Sequence, residues 1–349
     1  MKTYGVIMAG GGGTRFWPLS TKELPKQFLN LSGKDCMINE TFDRLLGVVN
    51  PQDIFVVTNE TQVELVHEFA ENRFLEDHIL AESAARNTAA CIGYAAMEIL
   101  VKHGDGVMCV VPSDHFIKDL DGFHEVLEQG ISIAKNTNQL VTIGIQPTFP
   151  ATGYGYIQCG EEGENHAFQV QEFVEKPDVD TAKAYLESGE YVWNSGMFLW
   201  KASTILEEYK QLLPDIYECL LMIKDAYGKV DESERIAEIY KTIPKISIDY
   251  GIMERAKEVV VLRGDFGWND VGSYDALDAI LPMDEAGNTT FGNTILLDTT
   301  DCIAYTTDKL IATIGVSNLI IAQTKDAVLV CHKEEAQSVK KIVDLLERI

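Results

Sequence analysis

Long apolar runs are missing from this sequence. None of its 349 residues lie in a stretch that approaches the roughly 20 consecutive apolar residues of a transmembrane helix. The N-terminus enters an apolar strand, Tyr4–Met8, and then a run of glycines, without the basic region and apolar segment of a signal peptide. We therefore expect a cytoplasmic protein without membrane association.

Positive charge is also scarce. The chain has 29 Lys and Arg against 54 Asp and Glu, a formal net charge of −25. Such a charge repels polyanions, which argues against nonspecific binding to nucleic acid or to an anionic membrane surface. Any phosphate ligand must therefore be met locally, by individual cations, backbone N–H groups or a metal ion.

Several patterns of reactive residues are absent. The seven Cys form no CxxC pair, which is typical of reduced thiols in the cytosol. The seven His form no HxH or HExxH spacing, which argues against a zinc site. No GxSxG sequence is present, so we predict no covalent nucleophile.

What the first half does contain is an alternation of short apolar runs with amphipathic stretches, typical of βαβ units. The predicted strands are Tyr4–Met8, Ile54–Thr58, Val107–Val111 and Val141–Ile145, and the predicted helices are Glu60–Asn72, Thr88–Lys102 and Phe123–Asn136. This pattern predicts an α/β fold with a doubly wound, mainly parallel sheet. Such sheets bind ligands beyond the carboxyl ends of their strands, here after Met8 and Val111.

The later part of the chain is organised differently. Helical patterns run from Ala202 to about Ala226 and over Glu232–Tyr240. From Gly292 to His332 short apolar runs follow one another at close spacing, which suggests a small β module, and an amphipathic helix over Lys333–Ile349 follows. We place a domain boundary near 285, giving a larger α/β domain over 1–285 and a β module over 286–349.

The strongest motif is AGGGGTRFWPLS, from Ala9 to Ser20, followed by PKQF, from Pro25 to Phe28. Glycines after a buried strand let the backbone turn tightly and bring N–H groups against phosphate oxygens. Arg15 and Lys26 supply the cations that a triphosphate needs. The spacing differs from both the Walker A loop and the GxGxxG pattern. The alternative is a glycine-rich turn with solvated charges.

These two segments resemble the signature of the sugar-1-phosphate nucleotidylyltransferases, and the FWPLS ending is most similar to the branch that acts on mannose 1-phosphate. The resemblance implies a Rossmann-like, GT-A-like catalytic domain and a C-terminal module similar to a short left-handed β-helix. It also implies transfer of GMP from GTP to mannose 1-phosphate, giving GDP-mannose and pyrophosphate with Mg²⁺ as cofactor. A homodimer is expected from the resemblance alone.

The resemblance also assigns nucleotide-binding residues. The segment ESAARNTA, Glu82 to Ala89, lies where these enzymes read guanine. Glu82 could accept from the guanine N1–H and N2 amino group, and Asn87 and Thr88 could donate to O6 or the ribose. The full predicted set is Ala9, Gly10, Gly11, Gly13, Thr14, Arg15, Lys26, Glu82, Asn87, Thr88 and Asp114. The alternative for Asn87 and Thr88 is a helix N-cap.

Two carboxylates are candidate metal ligands. Asp114 in VPSDH follows a buried strand, and Asp270 lies in the glycine-flanked segment GWNDVGS. Each alone is more compatible with a turn or cap residue than with a metal ligand. The resemblance pairs these two positions around one Mg²⁺ that bridges the two phosphates.

The sugar side is predicted from TGYGYI, FVEKP, NSGMF and SIDYGIME. By resemblance, Gly153 offers its backbone to the sugar, Glu175 and Asn194 bind its hydroxyls, Lys176 meets the 1-phosphate, and Asp249 forms a wall of the sugar pocket. The alternatives are a strand end with a Pro turn for EKP and a hairpin turn for NSG.

The predicted reaction is a direct in-line attack on the α-phosphorus, in which alignment and charge cancellation matter more than proton transfer. The predicted catalytic residues are Arg15, Lys26, Asp114, Lys176 and Asp270. Three alternatives stay open: another sugar 1-phosphate or nucleotide, a noncatalytic nucleotide-sugar sensor, and, less well supported, acyl transfer by the tail. The length after the β module leaves no room for an isomerase domain, so we expect a single activity.

Overall fold

In a computed structural model, which describes residues 1–346, the chain divides into two compact units. The first unit comprises Met1–Gly10, Phe42–Pro112 and Asp119–Phe266. The second comprises Gly11–Thr41, Ser113–Lys118 and the chain from Gly267 onward. Each unit is therefore assembled from segments that are far apart in sequence.

The first unit contains the strands and helices of the α/β pattern, together with further elements in its second half. Its strands are β1 (Lys2–Met8), β2 (Ile54–Asn59), β3 (Ile79–Glu82), β4 (Gly106–Pro112), β6 (Leu140–Ile145), β7 (Tyr156–Glu162), β8 (Ala167–Val174), β9 (Tyr191–Lys201) and β10 (Val259–Gly264). Its helices are α2 (Val63–Phe69), α3 (Thr88–Glu98), α4 (Leu120–Asn136), α5 (Val179–Ser188), α6 (Ala202–Leu212), α7 (Pro214–Ala226) and α8 (Glu232–Tyr240).

The second unit contains shorter elements. Its strands are β5 (Phe116–Ile117), β11 (Trp268–Asn269), β12 (Thr289–Phe291), β13 (Thr294–Leu297), β14 (Ile303–Thr306), β15 (Ile311–Ile314), β16 (Leu319–Gln323) and β17 (Val328–His332). Its helices are α9 (Leu277–Ile280) and α10 (Val339–Leu346). Helix α1 (Met37–Leu45) runs from the second unit into the first.

A nine-stranded sheet organises the first unit, in the order β3-β2-β1-β4-β9-β6-β10-β8-β7. Strands β3, β2, β1 and β4 are parallel, as are β6 and β10, whereas β9, β8 and β7 run antiparallel to their neighbours. In register, Met8 pairs with both Val57 and Pro112, so the ends of three strands lie side by side. The predicted α/β fold is confirmed, with antiparallel strands added in the second half.

The predicted elements of the first half are all present. All four predicted strands form, each within one or two residues of its predicted ends. The predicted helix Glu60–Asn72 begins as a 3-10 turn and its α-helical part ends at Phe69. Helix α5 was not predicted; Asp178 caps its start by accepting from the Thr181 N–H at 2.8 Å, and Gly189 ends it with φ 68°.

The tail forms the β module that its short apolar runs predict. Strands β12, β14 and β16 pair in parallel, β13 and β15 pair in parallel in a separate sheet, and β17 closes the first of these sheets antiparallel to β16. Strands β12 to β16 therefore alternate between two sheets, as the coils of a β-helix do. The predicted helix Lys333–Ile349 starts as a 3-10 turn and continues as α10; its residues 347–349 lie outside the described residues.

One hydrophobic cluster holds the second unit together. It combines Phe16 and Leu29 from the glycine-loop region with Tyr274 and with the module residues Ile320 and Val339. All five are at most 7% exposed. Packing therefore joins the glycine-loop region to the tail, whereas the boundary near 285 follows composition and stays a prediction.

Helix length and the state of the cysteines relate to the sequence predictions about membrane spans and disulfides. Across residues 1–346, every helix is too short or too polar to cross a membrane. All seven cysteines are free thiols, and Cys36, Cys91, Cys109 and Cys302 are buried.

Candidate functional site

The glycine loop begins where β1 ends. In the first unit, the Ala9 N–H donates to the Val57 carbonyl at 2.8 Å. In the second unit, Gly13 has φ 55°, and an added Cβ there would lie 2.2 Å from the Cβ of Lys26. The left-handed backbone and this close approach both require glycine. The Ser20 hydroxyl donates to the Gly13 carbonyl at 2.5 Å and fixes the turn.

A pocket of about 330 Å³ opens beside this turn. It is lined by Gly13, Thr14, Arg15, Phe16, Lys26, Asp114, His115, Asp270, Gly272 and Lys340, all residues of the second unit. Six of the residues predicted from sequence are thus brought together from three distant segments: Gly13, Thr14, Arg15, Lys26, Asp114 and Asp270. Their chemical roles stay predictions.

Lys26 links the two acidic segments of this pocket. Its side chain is buried, and its ammonium donates to Asp114 Oδ2 at 2.9 Å and to the backbone carbonyl of Asp270 at 2.9 Å. The Asp270 carboxylate in turn accepts from the Gly272 N–H at 3.2 Å. A buried ammonium with two acceptors is held in one orientation, so Lys26 positions the Asp114 carboxylate as well as lending charge to the pocket.

The pKa of Asp114 follows from these contacts. Burial would raise the pKa of its carboxyl, but the charges of Lys26 and His115 and the hydrogen bond from Lys26 hold that pKa below its usual value. Asp114 is therefore ionised at neutral pH and presents an anionic oxygen to a cation.

The carboxylates of the pocket suit Mg²⁺, which needs few protein ligands, better than a metal ion whose ligands all come from the protein. Within residues 1–346 no group of three or more His, Cys, Asp and Glu side chains could hold a metal ion. Asp114 and Asp270 supply two carboxylates to one pocket. Mg²⁺ is usually bound by one or two carboxylates and completes its shell with water and phosphate oxygens, so two carboxylates suffice.

Sequence reasoning assigned no role to two other lining residues, His115 and Lys340. His115 accepts from the Trp268 Nε1–H at its Nδ1, 3.1 Å away, and the two rings meet edge to face at 5.3 Å. Its position directly after Asp114 was a signal that could have found it. Lys340 lies in an amphipathic helix without a motif, so nothing local marked it.

In the first unit, Glu82 lies at the end of β3 and is 6% exposed. The Tyr240 hydroxyl donates to its Oε1, and an added Cβ on Gly10 would lie 2.6 Å from its Oε2. Burial raises the pKa of Glu82, and the hydrogen bond from Tyr240 opposes that rise. The absence of a side chain at Gly10 is thus what gives the Glu82 carboxylate its space. Tyr240 was not predicted, because it is 158 positions away in sequence.

The alternative interpretation of Asn87 and Thr88 is confirmed. Asn87 is the N-cap of α3, where its Oδ1 accepts from the Thr88 N–H at 2.8 Å. The Thr88 hydroxyl oxygen accepts from the Ile248 N–H at 2.9 Å. Both side chains thus have structural partners, and their nucleotide contacts stay predictions.

The predicted sugar-side residues form a second cluster in the first unit. Asn194 Nδ2 donates to Asp249 Oδ1 at 2.9 Å, and Lys176 forms an ion pair with Glu175. An added Cβ on Gly155 would lie 2.6 Å from Glu175 Oε2 and 3.3 Å from the Asn194 Cβ. Gly155 is therefore the glycine on which this cluster depends, a residue that the sequence did not single out.

Gly153 differs from Gly155, because an added Cβ there would meet no atom within 4 Å. The structure also tests the structural interpretations of the two motifs, whereas their sugar-binding roles stay predictions. Strand β8 ends at Val174, directly before EKP, so the strand-end interpretation is confirmed. The hairpin interpretation of NSG is wrong, because Asn194–Gly196 lies inside β9.

Asp249 has a perturbed pKa. Burial first, and the neighbouring Glu175 charge second, raise the pKa of Asp249 to about 6, against the hydrogen bond from Asn194. A carboxyl with a pKa of about 6 can exist in either protonation state close to neutral pH.

Comparison with known proteins places these features in a family. The nucleotidyl transferase family matches residues 4–286, and the family described as the mannoseP isomerase/GMP-like beta-helix domain matches residues 292–346. The chain belongs to the nucleotidyl transferase family. The resemblance in the glycine loop is thereby confirmed, as is the fold: a nucleotidyltransferase domain followed by a β-helix-like domain.

Several relatives of this nucleotidyl transferase are similar over nearly its whole length. A mannose-1-phosphate guanylyltransferase of Salmonella typhimurium is 41% identical, with 98% of this chain and 72% of the relative covered. One of Klebsiella pneumoniae is 40% identical, with 98% and 74% covered. A solved structure from Thermus thermophilus, described as a mannose-1-phosphate geranyltransferase, is 36% identical with a TM-score of 0.91, covering 99% of this chain and 100% of that one.

Proposed function

We propose that this protein transfers GMP from GTP to mannose 1-phosphate, which gives GDP-mannose and pyrophosphate. The observation that carries the proposal is the pocket in which Arg15 and Lys26 lie with the carboxylates of Asp114 and Asp270 beside the glycine turn. This is the charge pattern that a triphosphate with a divalent cation needs. The identity of about 40% to enzymes with this activity supports the choice of substrates.

In this proposal a phosphate oxygen of mannose 1-phosphate attacks the α-phosphorus of GTP in line, and the bond to the β-phosphate oxygen breaks. A phosphate monoester is already anionic near neutral pH, so no general base is required. Alignment and charge cancellation then supply most of the rate enhancement. Arg15 is exposed in the pocket and offers its guanidinium to the leaving pyrophosphate.

Asp114 and Asp270 would hold Mg²⁺, which when bound would supply positive charge to offset that of the phosphates. Lys26 keeps the Asp114 carboxylate ionised and oriented through its 2.9 Å hydrogen bond. The Lys26 ammonium also donates to the backbone carbonyl of Asp270. Lys26 therefore stabilises both of the segments that carry the two acids.

The residues of the first unit recognise the two substrates. The Glu82 carboxylate accepts hydrogen bonds from the guanine N1–H and N2 amino group. The hydrogen bond from Tyr240 holds that buried carboxylate in place. Glu175 and Asn194 bind sugar hydroxyls, Asp249 forms a wall of the sugar pocket, and Lys176, which is exposed, meets the 1-phosphate. We propose further that the protein is a homodimer and that residues 286–349 form a domain distinct from 1–285.

One assay distinguishes the proposed function from two alternatives, namely other substrates of the same reaction and a noncatalytic nucleotide-sugar sensor. Purified protein is incubated with Mg²⁺, mannose 1-phosphate and each of GTP, ATP, UTP, CTP and dTTP, and pyrophosphate release is measured; parallel reactions without the sugar phosphate detect simple hydrolysis. Sugar-dependent release with GTP is expected. Release with another nucleotide instead would move the substrate within the family, and silence across a panel of sugar phosphates would favour a noncatalytic nucleotide-sugar sensor.

A further inference from the structure

The pocket beside the glycine turn is completed by the last helix of the chain. Lys340, the second residue of α10, lines it together with Arg15, Lys26 and the two carboxylates. Lys340 belongs to the region that matches the β-helix-like domain, not to the region that matches the nucleotidyl transferase family. The tail therefore contributes a cation to a pocket otherwise built by the catalytic region.

Helix α10 is held firmly enough to place that cation. It packs against Thr14–Phe16, and Val339, which is 2% exposed, lies in one hydrophobic cluster with Phe16. Just before it, Gln337 Nε2 donates to the Ser273 hydroxyl at 2.6 Å, and Lys333 pairs with Asp278 at 2.7 Å. The backbone at Lys340 is thus fixed to the glycine-turn segment and to the segment that follows Asp270.

The charges of the pocket leave Lys340 available for a ligand. Lys26 is occupied by Asp114 and by the Asp270 carbonyl. Within residues 1–346, Lys340 and Arg15 are exposed cations without a hydrogen-bond or ion-pair partner. Since the chain as a whole carries a net charge of −25, a polyanion can be held only where such cations converge.

We propose that Lys340 binds the pyrophosphate part of GTP and the pyrophosphate product. The inference rests on the proposed function for the identity of the ligand. A flexible ammonium suits this task, because it can follow the β- and γ-phosphates as they leave. The α-phosphate, by contrast, must stay close to the carboxylates and the attacking oxygen. Lys340 is therefore a binding residue for the leaving group, and the β-helix-like domain takes part in substrate binding.

Lys341 provides a matched control. It is the next residue of the same helix, is exposed, and donates to the Ser338 hydroxyl at 3.1 Å, but it does not line the pocket. Lys340→Ala and Lys341→Ala remove the same charge from the same helix. Comparing the two separates a contact in the pocket from a change in net charge or helix stability.

The experiment measures binding of inorganic pyrophosphate, GTP and GMP to the full chain by calorimetry with Mg²⁺, and the KM and kcat for GTP. In Lys340→Ala the affinity for pyrophosphate and GTP should fall roughly tenfold or more, while the affinity for GMP stays within about twofold. Lys341→Ala should leave all three affinities near wild type, and Lys340→Arg should restore most of the lost binding.

Three results would overturn the inference: equal effects of Lys340→Ala and Lys341→Ala, an equal loss of GMP and pyrophosphate affinity, or no loss at all. Melting temperatures of the variants identify any unfolding. Failure of the proposed function is seen separately, because it would leave the wild type without sugar-dependent pyrophosphate release. Pyrophosphate binding that depends on Lys340 could still be measured in that case.

Discussion

At the scale of single residues, the carboxyl groups differ in the side chains that surround them. Lys26 holds the pKa of Asp114 low, burial raises that of Glu82, and burial with a like charge raises that of Asp249. The same functional group thus has three different environments, which shift its pKa in different directions and for different reasons.

Tyr240→Phe tests the role of the hydrogen bond to Glu82. The change keeps the ring in the core but removes the donor that lowers the Glu82 pKa, so that pKa should rise further. In the proposed function Glu82 accepts hydrogen bonds from guanine, which requires its carboxyl group to be ionised. We therefore expect the acid limb of kcat/KM for GTP to move to higher pH, with a loss of about tenfold on that limb.

Tyr209→Phe is the control for that variant. Tyr209 is also fully buried, but its hydroxyl donates to the Ala89 carbonyl at 2.6 Å and not to Glu82. The Tyr209→Phe variant should be less stable than the wild type, but the acid limb of its kcat/KM profile for GTP should not shift. Identical pH profiles for wild type and Tyr240→Phe would contradict the assigned role.

Asp249→Asn tests the raised pKa. In the native state Asp249 has a pKa of about 6, above the value of about 3.9 in an unfolded chain, so the native state binds its proton more tightly. Its favourable contribution to the free energy of unfolding is complete below about pH 4 and is lost as the pH rises through about 6. Asparagine does not titrate. As the pH rises from about 4 to above 6, the free energy of unfolding of the variant should therefore increase by about 1–3 kcal/mol relative to that of the wild type.

Urea unfolding of both proteins from pH 4 to pH 8 measures this difference. Asp180→Asn is the control, because the Asp180 side chain is 91% exposed and lies outside the cluster. A difference between Asp249→Asn and wild type that stays constant with pH would show that Asp249 is not perturbed.

At the scale of elements, local sequence and structure agree where the backbone itself carries the signal. The glycine loop and the strand end before EKP are of this kind. NSG is the opposite case: its composition is typical of a turn, yet it lies within β9, where Gly196 adopts φ 69° and a bulge interrupts the pairing with β6. The extended pairing on both sides outweighs the local turn preference of these residues.

Gly13→Ala tests the requirement for glycine in the loop. The added methyl would clash with the Lys26 side chain, and alanine would have to adopt the left-handed φ of 55°. The free energy of unfolding should therefore fall by about 2 kcal/mol or more. In Gly12→Ala the methyl meets no atom within 4 Å, and the change should stay within about 0.5 kcal/mol. Thermal unfolding of the two variants compares them directly, and equal losses would refute the steric argument.

At the scale of the whole molecule, the β module and the glycine-loop region share one hydrophobic cluster. Tyr305, from β14, donates its hydroxyl to the Asn30 carbonyl at 2.5 Å, and Tyr274 donates to the Phe16 carbonyl at 2.9 Å. Loosening the module should therefore loosen the turn that lines the pocket.

Ile320→Ala tests this coupling. Ile320 is fully buried in the shared cluster, so its truncation should cost about 2–5 kcal/mol. Hydrogen exchange should then rise at Thr14–Phe16 as well as in β14 and β16. Ile314→Ala, at a residue that is 72% exposed in β15, should change neither. A rise confined to the module strands would mean that the two parts are stable independently.

The sequence by itself determined the α/β class, the β module, the family and most candidate residues, because these depend on local spacing: apolar periodicity, glycines after a strand, and acids beside strand ends. Only the tertiary structure revealed Lys340, Tyr240 and Gly155. The residues that surround them in the fold come from distant parts of the chain, as with the 158 positions between Tyr240 and Glu82. Such contacts form when distant segments pack in one core, and no short motif records them.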